Sequence, residues 1–287
     1  MNQLTVPKMG SQTRRKFSQA VILFLLILLS VIQFFPLVWL VDFSFAKTSD
    51  LFGPNFLIWP DPPQYQNYVT AWVDGHIFPY FINSFVVNVV TIVLTIVIVL
   101  AMSYAFVRME WKLRSLAYGL VVVGMMIPIH VTLLPNFFSF NALKINDSFF
   151  GLIIPYVAFS IPLGVFLLAS YMENNPKTVE EAAVIDGCNI WQVIFQIVFP
   201  LNKPAIITIA VTTFLSSWNE FIMAATYLTS DTYRTLPFAV YNFSGQYASN
   251  YAVQFAVMTL TSIPALIVYI IFNEQMTRGI MLGAVKA

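Results

Sequence analysis

The chain has 287 residues, of which 59% are hydrophobic, 16% aromatic and only 9% charged, with a formal net charge of +1. A soluble domain carries about 25% charged residues, so this composition excludes an ordinary water-facing surface and requires lipid around most of the protein. The near-neutral balance gives no electrostatic case for nucleic acid, and the one cysteine, Cys188, excludes an intrachain disulfide framework and a metal–thiolate cluster.

A spanning helix needs roughly 20 mostly apolar residues. Six stretches qualify: 20–42, 79–107, 115–135, 149–171, 204–227 and 252–273. The predicted fold is an all-α polytopic membrane protein with six transmembrane helices in one domain, 1–287, preceded by a tail, 1–19. The first stretch follows a basic "TRRKF". It is longer than the roughly 7–15 residues of a signal-peptide core and lacks an A-x-A-like site, so it reads as an uncleaved span. Six spans put both termini on one side. Of the 14 Lys and Arg, only Lys47, Lys144 and Arg234 then fall opposite, which makes the terminal side cytoplasmic.

The first outer loop, 43–78, contains "FGPNFLIWPDPPQYQNYV", whose Pro, Gly and Asn predict an irregular but ordered cap. A later outer segment, 228–251, mixes polar and aromatic residues. It suits a surface for a partner or a carbohydrate, or an aromatic belt at the membrane interface. In the second span Ser84, Asn88, Thr91 and Thr95 share one helix face, and in the fifth so do Thr208, Thr212, Ser216 and Asn219. Such faces bond helix to helix, or line a passage for a hydroxyl-rich solute. Asp42, Glu220 and Glu274 lie toward span ends, so no span has an ionisable group securely at its midpoint, which argues against an ion-driven carrier acting alone.

No lysine follows a glycine, so a Walker-type ATP site is impossible in this chain and no cofactor is expected in it. His76 and His130 stand apart, no G-x-S-x-G occurs, and no nucleophile–base arrangement or metal-ligand set emerges. The chain is not expected to be an enzyme.

Between the fourth and fifth spans, within 173–200, the sequence runs "PKTVEEAAVIDGCNIWQVIFQIVFP". Thr178 with Glu181 reads as a capping box opening a helix, and Glu180 and Glu181 suit the positive end of its dipole. Ala182 and Ala183 permit close approach, and Gly187 can end the helix at positive φ. Asn189 with Gln192 resembles a second cap, opening a helix that runs to Pro200. The product is a helix–turn–helix on the cytoplasmic side, either lying at the interface or inserting into a cleft of a partner.

Glu181-Ala182-Ala183, Gly187, Ile197, Phe199 and Pro200 match in order and spacing the E-A-A signature of permease subunits of binding-protein-dependent ABC importers. "NSF" at Asn83, "MIPIHVTLLP" at 126–135, "SWNEF" from Ser217 to Phe221 and the closing "RGIMLGAVKA" extend the resemblance to the sugar-importing, maltose-permease branch over nearly the whole chain. Two places depart from it: Phe199 stands where leucine is usual, and "KINDSFFG" surrounds Asn146. The resemblance implies a coupling helix docked on a cytoplasmic ATPase dimer that holds ATP–Mg, with Glu181, Ala182, Ala183, Asp186, Gly187, Ile197 and Pro200 at or behind the contact and Cys188 close by. In that contact Glu181, Ala182, Ala183, Asp186 and Gly187 are implied to touch the ATPase, with Ile197 and Pro200 in the same coupling segment. The resemblance further implies a heterodimer with a second permease subunit, an extracytoplasmic sugar-binding protein, and a prokaryotic plasma (inner) membrane. Ser84, Asn88, Thr91, Thr212, Ser216, Trp218, Asn219 and Glu220 are the expected substrate path, with hydrogen bonding to a neighbouring helix end as a competing role for Glu220. The alternatives are an ion-coupled secondary sugar carrier and a non-transporting membrane assembly subunit.

Overall fold

A computed structural model describes residues 9–244 and 250–284, with side chains for 15–244 and 250–277. Tail residues 1–8, residues 245–249 of the second outer segment and the closing 285–287 lie outside the described residues. The described chain is all helix, turn and loop, without a strand.

Among the described residues, four helices are long and apolar enough to cross a membrane. They are α1 (Met9–Ser44), α3 (Ile77–Val107), α6 (Phe149–Met172) and α12 (Tyr251–Ala284), of which Arg15–Ser44 and Tyr251–Thr277 are the apolar parts of the outermost two. Two bent helix pairs raise the candidate spans to as many as six if each pair counts as one span: Arg114–Met126 with Ile129–Leu143, bent by 92°, and Ile190–Leu201 with Lys203–Trp218, bent by 83°. The stretch expected as a straight third span, 115–135, is therefore two pieces, α4 (Arg114–Val123) and α5 (Leu133–Leu143), joined by 3-10 turns. Pro128 explains the break. It has no N–H to give, and it drives Ile127 into extended backbone at φ −83°, ψ 114°.

The stretch expected as the fifth span is also interrupted. α10 (Lys203–Trp218) ends before residues 219–221, and the short α11 (Ile222–Tyr227) follows. Its 16 residues rise about 24 Å, less than the roughly 30 Å of a hydrocarbon core.

α3 and α6 form the centre, packed along their length. Gly164 permits their closest approach, because a Cβ there would lie 2.7 Å from Val99 Cγ2. α10 and α12 complete the bundle, and α1 lies on α12, with Trp39 edge-on to Phe255 at 5.3 Å. The apolar stretch of α1 is otherwise uncovered, with Val21 to Ile32 exposed, as suits lipid or another chain.

The loop expected to be the first outer one is ordered by polar links to α1, and it contains the helix α2 (Gln66–Asp74). The buried Asp42 carboxylate accepts the N–H groups of Ile58 at 2.8 Å and Trp59 at 3.0 Å. Asn67 Nδ2 donates to the carbonyls of Ser44 and Ala46, both at 2.9 Å. Each otherwise orphaned group near the helix end thus gains a partner, which an apolar surrounding demands.

Candidate functional site

Beyond α6 the chain forms a hairpin. Its first arm is α7 (Thr178–Ile185); its second comprises α8 (Ile190–Gln192), a π-helical stretch Val193–Val198, and α9 (Phe199–Leu201). The Thr178–Glu181 capping box expected from the sequence is absent. Lys177 already has helical backbone, φ −69° and ψ −19°, so Thr178 lies inside the first turn. A capping side chain needs non-helical backbone at its own residue; the Glu181 N–H bonds the Lys177 carbonyl instead, at 3.0 Å. The second cap is complete: Gln192 N–H donates to Asn189 Oδ1 at 3.0 Å, and Asn189 N–H donates to Gln192 Oε1 at 2.8 Å.

The corner between the arms follows from Gly187, at φ +90°. Gly187 N–H bonds the Val184 carbonyl at 3.1 Å and Cys188 N–H bonds the Ala183 carbonyl at 3.0 Å, the two bonds of a Schellman ending. Ala183, Val193, Ile194 and Val198 are buried with Leu100, Leu168 and Met172, anchoring the hairpin's inner side on α3 and α6. Its outer side is open. Glu181, Ala182, Asp186, Gly187 and Pro200 are exposed, Ile197 is half-buried, and Val184, Ile185 and Trp191 present uncovered apolar surface, Ile185 at 86% exposure.

Glu180 takes a part that its place in the first turn did not reveal. It is buried and paired with Arg108, the residue that closes α3. The two are 72 positions apart, so no local pattern joins them.

A cavity of about 340 Å³ lies between α6, α10 and the turn after α4. Of the expected path residues it is lined by Thr212, Ser216 and Glu220, together with Tyr156, Ser160 and Ser217. Ser160 Oγ donates to its own helix at Tyr156 O, 2.7 Å, and Thr212 Oγ1 to Thr208 O, 2.9 Å. With these protons committed, the two oxygens can still accept hydrogen bonds from a solute rich in hydroxyl groups, beside an apolar wall of Ile127, Phe159, Leu163 and Ile209.

Glu220 also holds a helix end together. Its carboxylate accepts N–H bonds from Met223 at 2.9 and 3.1 Å and from Ala224 at 3.3 Å, opening α11, and it accepts the Tyr156 hydroxyl at 2.8 Å. Glu220 thus meets both descriptions, cavity wall and helix cap.

The other expected path residues stand elsewhere. Ser84, Asn88 and Thr91 are buried where α3 meets its neighbours. The Ser84 hydroxyl accepts from Leu236 N–H at 2.7 Å, and Ser217 Oγ donates to Asn88 Oδ1 at 2.6 Å, tying α10 to α3. Trp218 is buried against Phe81 and Phe214 and donates its indole N–H to the Thr261 carbonyl at 3.2 Å. Asn219 is exposed and borders a different groove, with Tyr241 and Ser262.

At the end of the bundle away from the hairpin, Asp147 joins the start of α6 to the segment after α11. Its carboxylate accepts Thr229 N–H and Ser230 N–H, both at 2.9 Å, and the Ser230 hydroxyl at 3.0 Å. Burial by itself would raise this carboxyl's pKa; the Ser230 and Thr229 donors outweigh it and hold the group below its ordinary value. Among the described residues no group of three or more His, Cys, Asp and Glu could hold a metal ion.

Residues 97–281 match the family described as binding-protein-dependent transport system inner membrane component. A protein of Caldicellulosiruptor sp. assigned as an ABC transporter permease is 38% identical over 251 residues, 88% of this chain and 91% of that protein. A diacetylchitobiose uptake system permease of Streptomyces coelicolor is 32% identical over 264 residues, 91% of this chain and 87% of the relative. In fold, the chain is similar to a chain of a bacterial ABC transporter involved in import of the acidic polysaccharide alginate, with a TM-score of 0.79 at 22% identity, covering 94% of this chain and 99% of the other.

Proposed function

The chain belongs to the binding-protein-dependent transport system inner membrane components, and from this premise we propose that it is one of two permease subunits of an ATP-driven sugar importer in a prokaryotic plasma membrane. It is a membrane component and not an enzyme. Its work is to form half of a gated path and to pass the motion of a cytoplasmic ATPase dimer, which holds the ATP–Mg, into that path.

The observation that carries this reading is the hairpin. Its inner side is anchored on the central helices while its tip, around the left-handed Gly187, projects Val184, Ile185 and Trp191 uncovered. Apolar side chains rimmed by Glu181 and Asp186 suit a cleft on a protein partner. Glu181, Ala182, Asp186 and Gly187 would touch the ATPase, while Ala183, Ile197 and Pro200 would shape the hairpin behind that contact. The excess of positive charge supports a cytoplasmic assignment for this side and both termini.

The sugar assignment rests on the diacetylchitobiose relative's name and on the hydroxyl groups set into the cavity's apolar wall. Thr212, Ser216 and Glu220 are the path residues that the cavity favours. Coupling requires that the ATPase bind the two pore states with unequal affinity.

The test is a tagged pull-down of the chain from its own membranes in mild detergent, with partners identified by mass spectrometry. Recovery of an ATPase, a second permease and an extracytoplasmic binding protein is expected, and that binding protein can then be screened against sugars. Recovery of the chain alone, where other complexes survive, with uptake driven by an ion gradient in vesicles containing only this chain, would replace the reading by a solitary carrier.

A further inference from the structure

Arg108 stands where α3 ends and the hairpin begins, and its guanidinium reaches three acceptors. Nε donates to Glu180 Oε1 at 2.8 Å, and Nη2 donates to the carbonyls of Met172 at 3.0 Å and Asn175 at 3.1 Å. The two charged side chains are 6% and 9% exposed. Asn175, whose carbonyl Arg108 holds, donates its side-chain amide to Asn202 Oδ1 at 2.9 Å. Asn202 is buried at the bend before α10 and donates back to the Val198 carbonyl at 2.7 Å. One guanidinium therefore meets the end of α3, the end of α6 and the first turn of α7, and through one amide it reaches the root of the second arm.

We propose that Arg108 is a positioning residue for transport: it locks the hairpin to α3 and α6 so that the three move as one body when the ATPase pulls. The proposal rests on the reading of the hairpin as the ATPase contact and adds the joint that such a lever needs. Apolar packing of Ala183, Val193, Ile194 and Val198 already holds the hairpin's inner side, but that attraction is non-directional and resists sliding poorly. A planar guanidinium with three fixed acceptors has one geometry. A buried ion pair also contributes little net stability compared with apolar residues of the same shape, whereas loss of one partner strands a charge. The pair is thus better suited to fixing an angle than to adding strength. It also stands clear of the exposed tip, so its loss would leave the ATPase-facing surface chemically unchanged.

The experiment uses the assembled importer with its ATPase and binding protein in lipid nanodiscs and proteoliposomes. It reads hydrogen exchange of the 178–188 amides and the amount of sugar moved per ATP hydrolysed. Arg108→Ala is expected to speed α7 exchange by roughly tenfold or more, with the amides of α3 and α6 unchanged, and to lower sugar per ATP by about tenfold. Arg108→Lys, which keeps the charge but cannot span three acceptors, and Glu180→Gln, which keeps an acceptor without the charge, are expected between parent and alanine variant. These two carry the test if Arg108→Ala does not assemble. Unchanged α7 exchange in every variant that assembles overturns the proposal and leaves the lever reading standing. Faster exchange with unchanged sugar per ATP also overturns the proposal, because the joint is then not needed for coupling. Loss of assembled importer with sugar per ATP constant shows a stabilising role alone and also overturns the proposal.

Discussion

At Gly187 the backbone sits at φ +90°, and nothing lies within 4 Å of where a Cβ would stand. Substitution there has room for the side chain, so its cost comes from the backbone, about 1–2 kcal/mol for an ordinary L-residue and more for a β-branched one. Gly187→Val is therefore expected to insert normally, to open the corner, and to retain less ATPase in a pull-down, with sugar uptake lost. Gly187→Asn, which tolerates the left-handed region, should keep most of both. Normal uptake by the valine variant would remove the hairpin from the coupling role. Asp147 also has positive φ, 54°, but its side chain is the larger matter. Its folded pKa is depressed, so its contribution to stability is present above the unfolded value near 3.9 and is lost as pH falls through the lower folded value. Asp147→Asn keeps a residue tolerant of this backbone but removes the charged acceptor. Its melting temperature in detergent should lie a few degrees below the parent's at pH 7, and the gap should close as pH drops below about 4. A gap that stays constant through this range would show that the carboxylate charge is not what joins α6 to the segment after α11.

Between elements, the polar groups of α3 do two kinds of work. Asn88 donates to the Ser84 carbonyl at 2.9 Å and accepts from Ser217 Oγ at 2.6 Å, so it joins α3 to α10 across their contact. Interhelical hydrogen bonds of this kind average about 0.6 kcal/mol in a membrane, because the separated helices find other partners. Asn88→Ala should accordingly lower stability by about 1 kcal/mol, read as a modest drop in melting temperature, with sugar moved per folded importer unchanged. Full stability with impaired uptake would instead return Asn88 to the substrate path. Thr91 and Thr95 lie on the same face, and their hydroxyl oxygens meet no protein hydrogen-bond partner among the described residues. At this scale the helix face was readable from four-and-three spacing, whereas the use of that face was not. Ser84 and Asn88 meet protein groups 129 and more positions away, and only packing brings those to hand.

For the whole molecule, the proposed membrane orientation rests on the charge bias, and Cys188 can test it. This lone cysteine lies beside Gly187 and is half-buried. A membrane-impermeant maleimide should leave it unlabelled in intact cells and should label it in inside-out vesicles stripped of the ATPase. Labelling from outside intact cells would reverse the topology and, with it, the assignment of the hairpin to the cytoplasm. The same bundle would give the proposed lever something to push against: α3 and α6 run from the Asp147 end to the Arg108 end, packed closely enough that a Cβ at Gly164 would lie 2.7 Å from Val99 Cγ2.

What a local stretch of residues must do for itself could be read directly. Long apolar runs announced the helices, Gly187 announced a corner, and Asn189 with Gln192 announced a cap, because hydrophobic length, backbone freedom and capping chemistry act within a few residues. Even here, backbone geometry overruled one expectation: Lys177 entered the helix a residue early and left Thr178 unable to cap it. Residues distant in the chain needed the folded bundle. The meeting of Glu180 with Arg108, the division of the expected path between a cavity and helix contacts, and the double use of Glu220 all depend on which helices lie side by side. Apolar patterning commits a segment to the membrane but is nearly blind to its neighbour; in lipid, the choice of neighbour is made by close packing and by the need to pair every buried polar group.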